Sequence, residues 1–416
     1  MDPSAASDVA PLLPFDDPRF IKSPYAALAA ARDVAPLGWH SGLGMFVATS
    51  HAACSAVLRE RRLGRIFIDR EPQEEWETFN WLHADSILDS EPPKHTRLRR
   101  LVAGAFGRGH VARLAPRIEH LVAQLLEDAR ERVAGEGAVD LIDALAEPLP
   151  VLVISELLGF PDSERDRLRP WSQAIVRMYE LNRTAEDDRA AQEACREFAE
   201  FVADLATHRA AHPGEDLLTD LVQARDGSDK LSTHELIATA VLLLNAGHEA
   251  SVNGFGNGLH SLLTSALRHT DLSELDPEPL VEEMLRHDSP SQLFDRTATE
   301  DLQVAGVPIA EGQKVAALLG AANRDPAVFD DPDTFDPTRN PNSHLAFGLG
   351  IHFCIGAPLA RLEMQTAARG LFATWPRLQL VAARPRETFV LRGLADLIVE
   401  PGPAPRGGRA GAAVGT

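Results

Sequence analysis

Apolar residues recur three and four positions apart along most of this chain, the spacing of helices with one buried face. Val111 to Arg132 carries Leu114, Ile118, Leu121, Leu125 and Ala129 on one stripe, and Ala191 to Ala211 repeats the pattern with Phe198, Val202 and Leu205. From Ser232 the pattern runs past Leu259, opened by a Ser232/Glu235 capping box. Roughly 30 residues at 1.5 Å each predict a helix of about 45 Å, long enough to cross a whole domain. Its middle reads LLLNAGHEASVNGFG, where Gly247 and Glu249 interrupt an apolar run. Asp276-Pro277-Glu278 is an N-cap followed by proline, opening a helix over Leu280 to His287. The pattern then turns β-like from Arg296 to Leu319, with a turn at Ala310-Glu311-Gly312, and becomes irregular from Ala322 to Leu345. Ala357 to Trp375 is helical again, and short β-like segments follow up to Val399. The expectation is one mainly α domain with a minor β part over residues 15–400, a flexible segment over 1–14 and a disordered tail over 401–416.

Composition narrows the possibilities. The chain has 416 residues, 44% hydrophobic and 25% charged, with a net charge of −20. That charge argues against broad binding to nucleic acid or to an anionic membrane. The N-terminus, MDPSAASDVAPLLPFDD, lacks the basic start and apolar core of a signal peptide, and Ile237 to Ala246 is too short to cross a bilayer. A soluble, cytoplasmic, monomeric protein is expected. Cys54, Cys195 and Cys354 are too widely spaced for a disulfide framework or a zinc knuckle, and the first two read as small buried apolar residues.

Cys354 is different. It lies in HLAFGLGIHFCIGAPLAR, His344 to Arg361, where glycines permit a tight turn and Pro358 suits the first turn of the following helix. Free N–H groups at that helix start would favour the thiolate. A lone thiolate suits a metal that brings its own equatorial ligands, which is haem iron. The stretch resembles the haem-binding loop of the cytochrome P450 family, Phe-x-x-Gly-x-x-x-Cys-x-Gly, as Phe347, Gly350, Cys354 and Gly356. Glu283-Met-Leu-Arg286 is similar to the family's Glu-x-x-Arg, and Arg339 in Phe335-Asp-Pro-Thr-Arg to the arginine that completes a buried structural triad. The resemblance covers residues 15–400, and Ala321-Ala-Asn-Arg-Asp-Pro326 is similar to the bacterial soluble branch, natural-product and polyketide hydroxylases among them.

The resemblance implies a single-domain fold with haem b between a long central helix and the Cys-loop helix. Cys354 would be its axial ligand, with Ala246, Phe347, Gly348 and Gly356 against the haem. His95 and Arg99, four apart on one helical face, would hold propionates together with Arg296 and His352. Arg97 and Arg100 would form a solvated basic face. Electrons from NAD(P)H would arrive through a ferredoxin reductase and a ferredoxin, docked by some of Arg97, Arg100, Arg108, Arg113 and Arg361.

In the central helix, His248-Glu249 matches half of a zinc motif, but position 252 is valine; Gly254 to Gly258 resembles a dinucleotide loop, but no strand precedes it. The glycines read instead as close helix packing. By resemblance, Gly247 leaves room for dioxygen and Glu249 feeds protons to it. Ala250 stands where the family usually has threonine, and Ser251 is about 100° further round the helix. A substrate hydroxyl or ordered water would replace the missing group; alternatively, coupling is poor or the oxidation depends less on the relay. The resemblance places the substrate pocket at the loop Phe67 to Ile87 with Trp81, Trp171 to Leu181, Leu242, Asn245, the turn Gln292-Leu293-Phe294 and Leu394. The expected activity is ferredoxin-dependent hydroxylation of a small natural product. Alternatives are ring closure, aryl coupling or desaturation by the same cofactor, or a haem protein that only binds or senses ligand.

Overall fold

The structure, a computed structural model, describes residues 6–223, 225–226 and 229–402. The chain enters through α1 (Pro18–Lys22), α2 (Tyr25–Val34), β1 (Leu37–His40), β2 (Met45–Ala48), α3 (His51–Arg59) and β3 (Leu63–Gly64). A helical run follows: α4 (Gln73–Ala84), α5 (Lys94–Ala103) and α6 (Arg108–Glu136), then β4 (Val139–Asp140), a π-turn at Ile142–Ala146, α7 (Pro148–Leu158), α8 (Arg165–Val176), α9 (Ala185–Ala211) and α10 (Leu217–Gln223). After the small hairpin β5 (Arg225–Asp226) and β6 (Asp229–Lys230) come α11 (Thr233–Thr264) and α12 (Pro277–His287). The strands β7 (Leu293–Ala298), β8 (Leu302–Val304), β9 (Val307–Ile309) and β10 (Lys314–Leu318) precede α13 (Leu319–Ala322), α14 (Ala357–Thr374), β11 (Leu378–Pro385) and β12 (Leu394–Pro401). The result is a mainly α fold with a minor β part. A five-stranded sheet runs β1-β2-β10-β7-β3, and a three-stranded sheet runs β11-β12-β4.

Local chemistry sets the helix starts. In α11 the Glu235 N–H donates to Ser232 Oγ at 3.1 Å and the Ser232 N–H donates to Glu235 Oε2 at 2.8 Å, a complete capping box. Asp276 caps α12 by accepting from the Glu278 N–H at 3.1 Å, so the helix begins at Pro277, three residues before Leu280. Thr184 and Asp187 form a second capping box that starts α9 at Ala185, ahead of the periodic stretch. The β region begins at Leu293, where β7 pairs with β10.

One boundary is corrected. Residues 6–14, expected to be flexible, are packed: Asp8 bridges Trp39 of β1, and Val9 and Leu13 are fully buried. Apolar side chains on a proline-broken segment found a partner in the sheet edge. Pro401 likewise belongs to β12 and not to a tail. Residues 1–5 and 403–416, the rest of those two segments, lie outside the described residues. Among the described residues, no helix is long and apolar enough to cross a membrane.

Helix α11 runs through the largest apolar cluster, contacted on several sides by α7, α8, α12 and the π-turn. Its glycines let neighbours approach. A Cβ on Gly258 would sit 2.4 Å from Met284 Cβ in α12, and one on Gly256 would sit 2.6 Å from Ile142 Cδ1. The first neighbour atom is fixed to its backbone, while the second ends a side chain that can turn. Gly258→Ala should therefore destabilise by about 1–3 kcal/mol through overpacking, despite the gain of about 1 kcal/mol in helix propensity. Gly256→Ala should stay within about 1 kcal/mol of the parent. Urea unfolding of the two variants distinguishes them.

Candidate functional site

Glu283 and Arg286 share a face of α12, three residues apart, and both are fully buried. Arg286 donates from Nε and Nη2 to the two carboxylate oxygens at 2.7 Å each. Its remaining donors reach the carbonyls of Asn323, Pro332 and Thr334 at 2.9, 2.8 and 3.1 Å. Arg339 completes the triad, donating to Glu283 at 3.3 Å, while Asn342 Nδ2 and the Asp336 N–H add bonds of 3.1 and 2.8 Å. Asn323 passes the constraint on: its side chain binds Ser289 Oγ at 2.7 Å and accepts the Leu345 N–H at 2.6 Å, where the cysteine loop begins.

That loop turns on two glycines with positive φ, Gly348 at 67° and Gly350 at 74°. A Cβ on Gly350 would lie 2.5 Å from the Leu58 carbonyl oxygen, so only glycine fits there. The Cys354 N–H donates to the Phe347 carbonyl at 3.0 Å, closing the turn. The N–H groups of Gly356 and Ala357, at the start of α14, face the sulfur. Burial outweighs these N–H groups and the nearby Arg99 and Arg361 charges and pushes the thiol up, contrary to the expected lowering, because a thiolate is poorly solvated there. Cys54 and Cys195 are fully buried, as expected of apolar packing residues. The loop's edge is clamped by Arg361, which lies 4.4 Å over the Phe347 ring and binds Glu282 at 2.6 and 2.8 Å. His344 Nε2 adds a contact to Glu282 at 3.1 Å.

His95, Arg99, Arg296 and His352 come together beside the loop. The His95 and His352 rings are 4.4 Å apart, and Arg99 donates to the Phe353 carbonyl at 2.8 Å. Two residues with no sequence signal join them: Arg65, paired with Asp89 at 3.0 Å, and Glu91, which holds His352 Nε2 at 2.8 Å and the Arg65 N–H at 2.7 Å. Burial, then His352 and Arg99, push the His95 imidazolium down to about 4, and burial with Arg65 pushes Arg296 down to about 10. His95 Nε2 is buried without a partner. The acids present are already engaged, so this set of cation-forming groups is short of negative charge. A group that brings carboxylates fits here, as the propionates of haem would.

A second opening lies in α11. Between Glu235 and Leu259, the positions that are not buried are Leu242, Ala246, Gly247 and Ala250. Leu242, Ala246 and Ala250 are spaced four apart and form one face. An accessible face in the middle of a core helix is the wall of an internal cleft, and Ala246 is its most open residue. Gly247 is turned aside: a Cβ there would meet Ile154 of α7 at 3.5 Å, so the expected room for dioxygen is not what its missing side chain provides. Glu249 is buried and paired with Arg386, which donates to Oε2 at 2.9 Å from the β11–β12 connection; Oε1 has no partner. Arg386 escaped sequence reasoning because it is 137 residues away. Ser251 is buried on another face. No group of acidic, histidine or cysteine side chains suited to a metal ion occurs among the described residues.

The expected pocket wall is redistributed. Gln292 is fully buried and structural, donating to Ser289 O at 2.8 Å and Tyr25 Oη at 3.2 Å, with its amide against Gly320. Leu293 packs with Phe20 and Phe389 in the N-terminal core, Leu394 belongs to the helical core, and Phe294 packs beside Gly348. Strand register decides this, since alternate residues of β7 face opposite sides. Trp171 stacks on Phe198 in the core at 5.1 Å, and Trp81 stacks on His234 at 4.3 Å. Asn245 is buried with Oδ1 unsatisfied, while Leu242 stays on the cleft face. Residues 73–84, expected as loop, form α4.

Of the basic residues expected to dock a partner, Arg97 is bound to Glu235 and Arg361 to Glu282, so neither offers a bare charge. Arg100 and Arg113 are exposed, and the Arg108 side chain lies outside the described residues.

The family model for cytochrome P450 matches residues 278–372, the span from α12 into α14. Cytochrome P450 107B1 of Saccharopolyspora erythraea is 44% identical over 325 residues, 76% of this chain and 77% of that protein. The 6-deoxyerythronolide B hydroxylase of the same organism is 38% identical over 399 residues, covering 90% of this chain and 95% of its own. Among solved structures, P450BioI in complex with an acyl carrier protein ligated to hexadec-9Z-enoic acid matches with a TM-score of 0.87 at 33% identity, over 92% of this chain and 99% of that one.

The clamp at the loop edge has a pH signature. Burial raises the Glu282 carboxyl, but Arg361 and His344 outweigh it and hold it at about 2, below the usual 4.5. A depressed carboxyl contributes fully above its unfolded value and loses that contribution as pH falls from about 4.5 towards 2. Allowing for partial solvent screening, the loss should be on the order of 2 kcal/mol. Urea unfolding at pH 6 and pH 3 should show a smaller drop for Glu282→Gln than for the parent.

Proposed function

The chain belongs to the cytochrome P450 family, and from that premise we propose that it is a haem b monooxygenase that hydroxylates a medium-to-large natural product of polyketide type. The observation that carries this reading is the anion-deficient set of His95, Arg99, Arg296 and His352 joined to the Cys354 loop through Phe353. Haem, when bound, supplies the activation of dioxygen for insertion into a substrate C–H bond.

The chain's own residues do the rest. Cys354 would hold the iron through its thiolate, while His95, Arg99, Arg296 and His352 would take the propionates as charge-assisted hydrogen bonds. Leu242, Ala246 and Ala250 keep the cleft wall small on the side where a ligand must fit. Glu249 holds the proton that the reaction consumes, and its release from Arg386 would turn it towards the cleft. Ala250 offers no hydroxyl, so a hydroxyl of the substrate or an ordered water completes the path. The relative that hydroxylates 6-deoxyerythronolide B supports a hydroxylated polyketide as the substrate class. Electrons come from NAD(P)H through a ferredoxin reductase and a ferredoxin, and Arg100 and Arg113, both exposed, would help to steer an acidic donor.

Arg296→Leu removes one propionate partner and should weaken haem retention about tenfold, measured by haem transfer to a competing apoglobin; unchanged retention would remove the carrying observation. Ala250→Thr should raise the product formed per NAD(P)H consumed when the substrate lacks a hydroxyl near the site of attack. With the hydroxylated substrate the gain should be small. Equal coupling in all four combinations would rule out substrate assistance.

A further inference from the structure

His248 was set aside as a metal ligand, and its surroundings give it another use. It is fully buried on the side of α11 away from the cleft face. Nδ1 faces Ser172 Oγ at 3.3 Å and Glu249 Oε1 at 4.0 Å, while Nε2 faces Glu147 Oε1 at 3.9 Å. Both His248 Nε2 and Glu249 Oε1 are buried without a hydrogen-bond partner. Buried polar atoms rarely stay unpaired, and here the two unpaired atoms belong to adjacent members of one row. Glu147, before α7, is itself nearly buried; it accepts from Gln173 at 2.9 Å and pairs with Arg169 at 2.5 Å. Arg169 is half exposed, so the row leads from solvent to the carboxylate.

We propose that Glu147 and His248 form a proton-entry path that recharges Glu249 from the α7–α8 side of the molecule, opposite the substrate cleft. This rests on Glu249 being the proton-holding acid proposed above. The Glu147 carboxyl gives its proton to His248 Nε2, forming the imidazolium. The Nδ1–H bond then breaks and that proton goes to Glu249 Oε1, leaving neutral imidazole as the other tautomer. Glu147 regains a proton from water beside Arg169, and the ring resets by rotation about its Cβ–Cγ bond. No electron moves. Each gap exceeds a hydrogen bond by about 1 Å, within reach of side-chain rotation.

The charges around the ring suit transfer and not storage. Burial, with Arg386 and Arg169 nearby, pushes the His248 imidazolium down to about 4 although Glu249 opposes them, so the ring passes a proton on. Burial raises the Glu147 carboxyl, despite Arg169 and Arg386, with Glu249 and Asp143 adding to the rise; it therefore carries a proton at higher pH than a surface glutamate. Arg386 sits on Glu249 Oε2, leaving Oε1 to the histidine.

The test uses haem-loaded protein with labelled histidine in its diamagnetic carbon monoxide form. Exchange of the His248 ring N–H with water should slow about tenfold in Glu147→Gln, which keeps the shape but cannot relay. Unchanged exchange would overturn the path. Turnover supplies the second reading: Glu147→Gln and His248→Gln should each lower the rate about tenfold and raise the solvent deuterium isotope effect. Normal haem content in each variant excludes misfolding, and either variant alone suffices if the other does not fold. If Glu249→Gln is impaired while both others turn over like the parent, the path is wrong and the role of Glu249 stands. If Glu249→Gln also matches the parent, the underlying reading falls with it.

Discussion

Arg286 is a guanidinium with no contact with water, and the approach to the cysteine loop is organised around keeping it satisfied. Burying such a charge costs several kcal/mol unless a partner and further acceptors surround it. Glu283 supplies the partner, and three backbone carbonyls between Asn323 and Thr334 supply the acceptors. Those carbonyls belong to a segment with no regular structure, so their positions are set by the arginine and not by a ladder of their own. Arg339 and Asn342 close the far end of the same segment on Glu283. A buried ion pair is weak evidence for stability, but here it fixes where an irregular chain runs, and that chain delivers Leu345 and then Cys354.

The cationic set beside the loop has the opposite character. The triad is electrostatically complete, with acceptors for its donors. His95, Arg99, Arg296 and His352 are crowded with like charge, held down by burial, and left with an unpaired nitrogen. That contrast separates scaffold from site in physical terms: the scaffold has spent its hydrogen-bonding capacity internally, and the site has kept some for a ligand. The accessible stripe on α11 is the apolar counterpart, since helix surface in a core is otherwise covered.

These differences also explain what was legible in the sequence. The cysteine loop, the Glu283/Arg286 pair, the capping box at Ser232 and the N-cap at Asp276 are local patterns whose partners lie within a few residues. The close packing at Gly256 and Gly258 was legible from the glycines themselves, although their partners, Ile142 and Met284, are distant in the chain. Arg386, Arg65, Glu147 and Asn323 were not, because each acts on a group brought near only by the tertiary fold. Gln292, Leu293 and Leu394 are pocket residues by resemblance alone, and a resemblance in position does not show which way each side chain turns in this chain. The N-terminal segment was misread because composition does not reveal that a sheet edge is waiting to cover Val9 and Leu13.

The central helix shows why neighbouring residues there must be read one at a time. Each step turns the side chain about 100°, so five consecutive positions meet four different surroundings. Ala246 and Ala250 open on the cleft, Gly247 meets α7, His248 meets α7 and α8, and Glu249 meets the β11–β12 connection. The acid and the open face are therefore on different sides of the same helix. On the proposed function a hydroxyl at position 250 would bridge them, and alanine leaves that step to the substrate or an ordered water. Ser251 is a further 100° round the helix and buried, so it cannot fill the role without unwinding the helix. On the proposed function, proton supply on the α7 side is built into the protein, while proton use on the cleft side depends on what occupies the cleft. Such a division makes coupling a property of the ligand as much as of the chain.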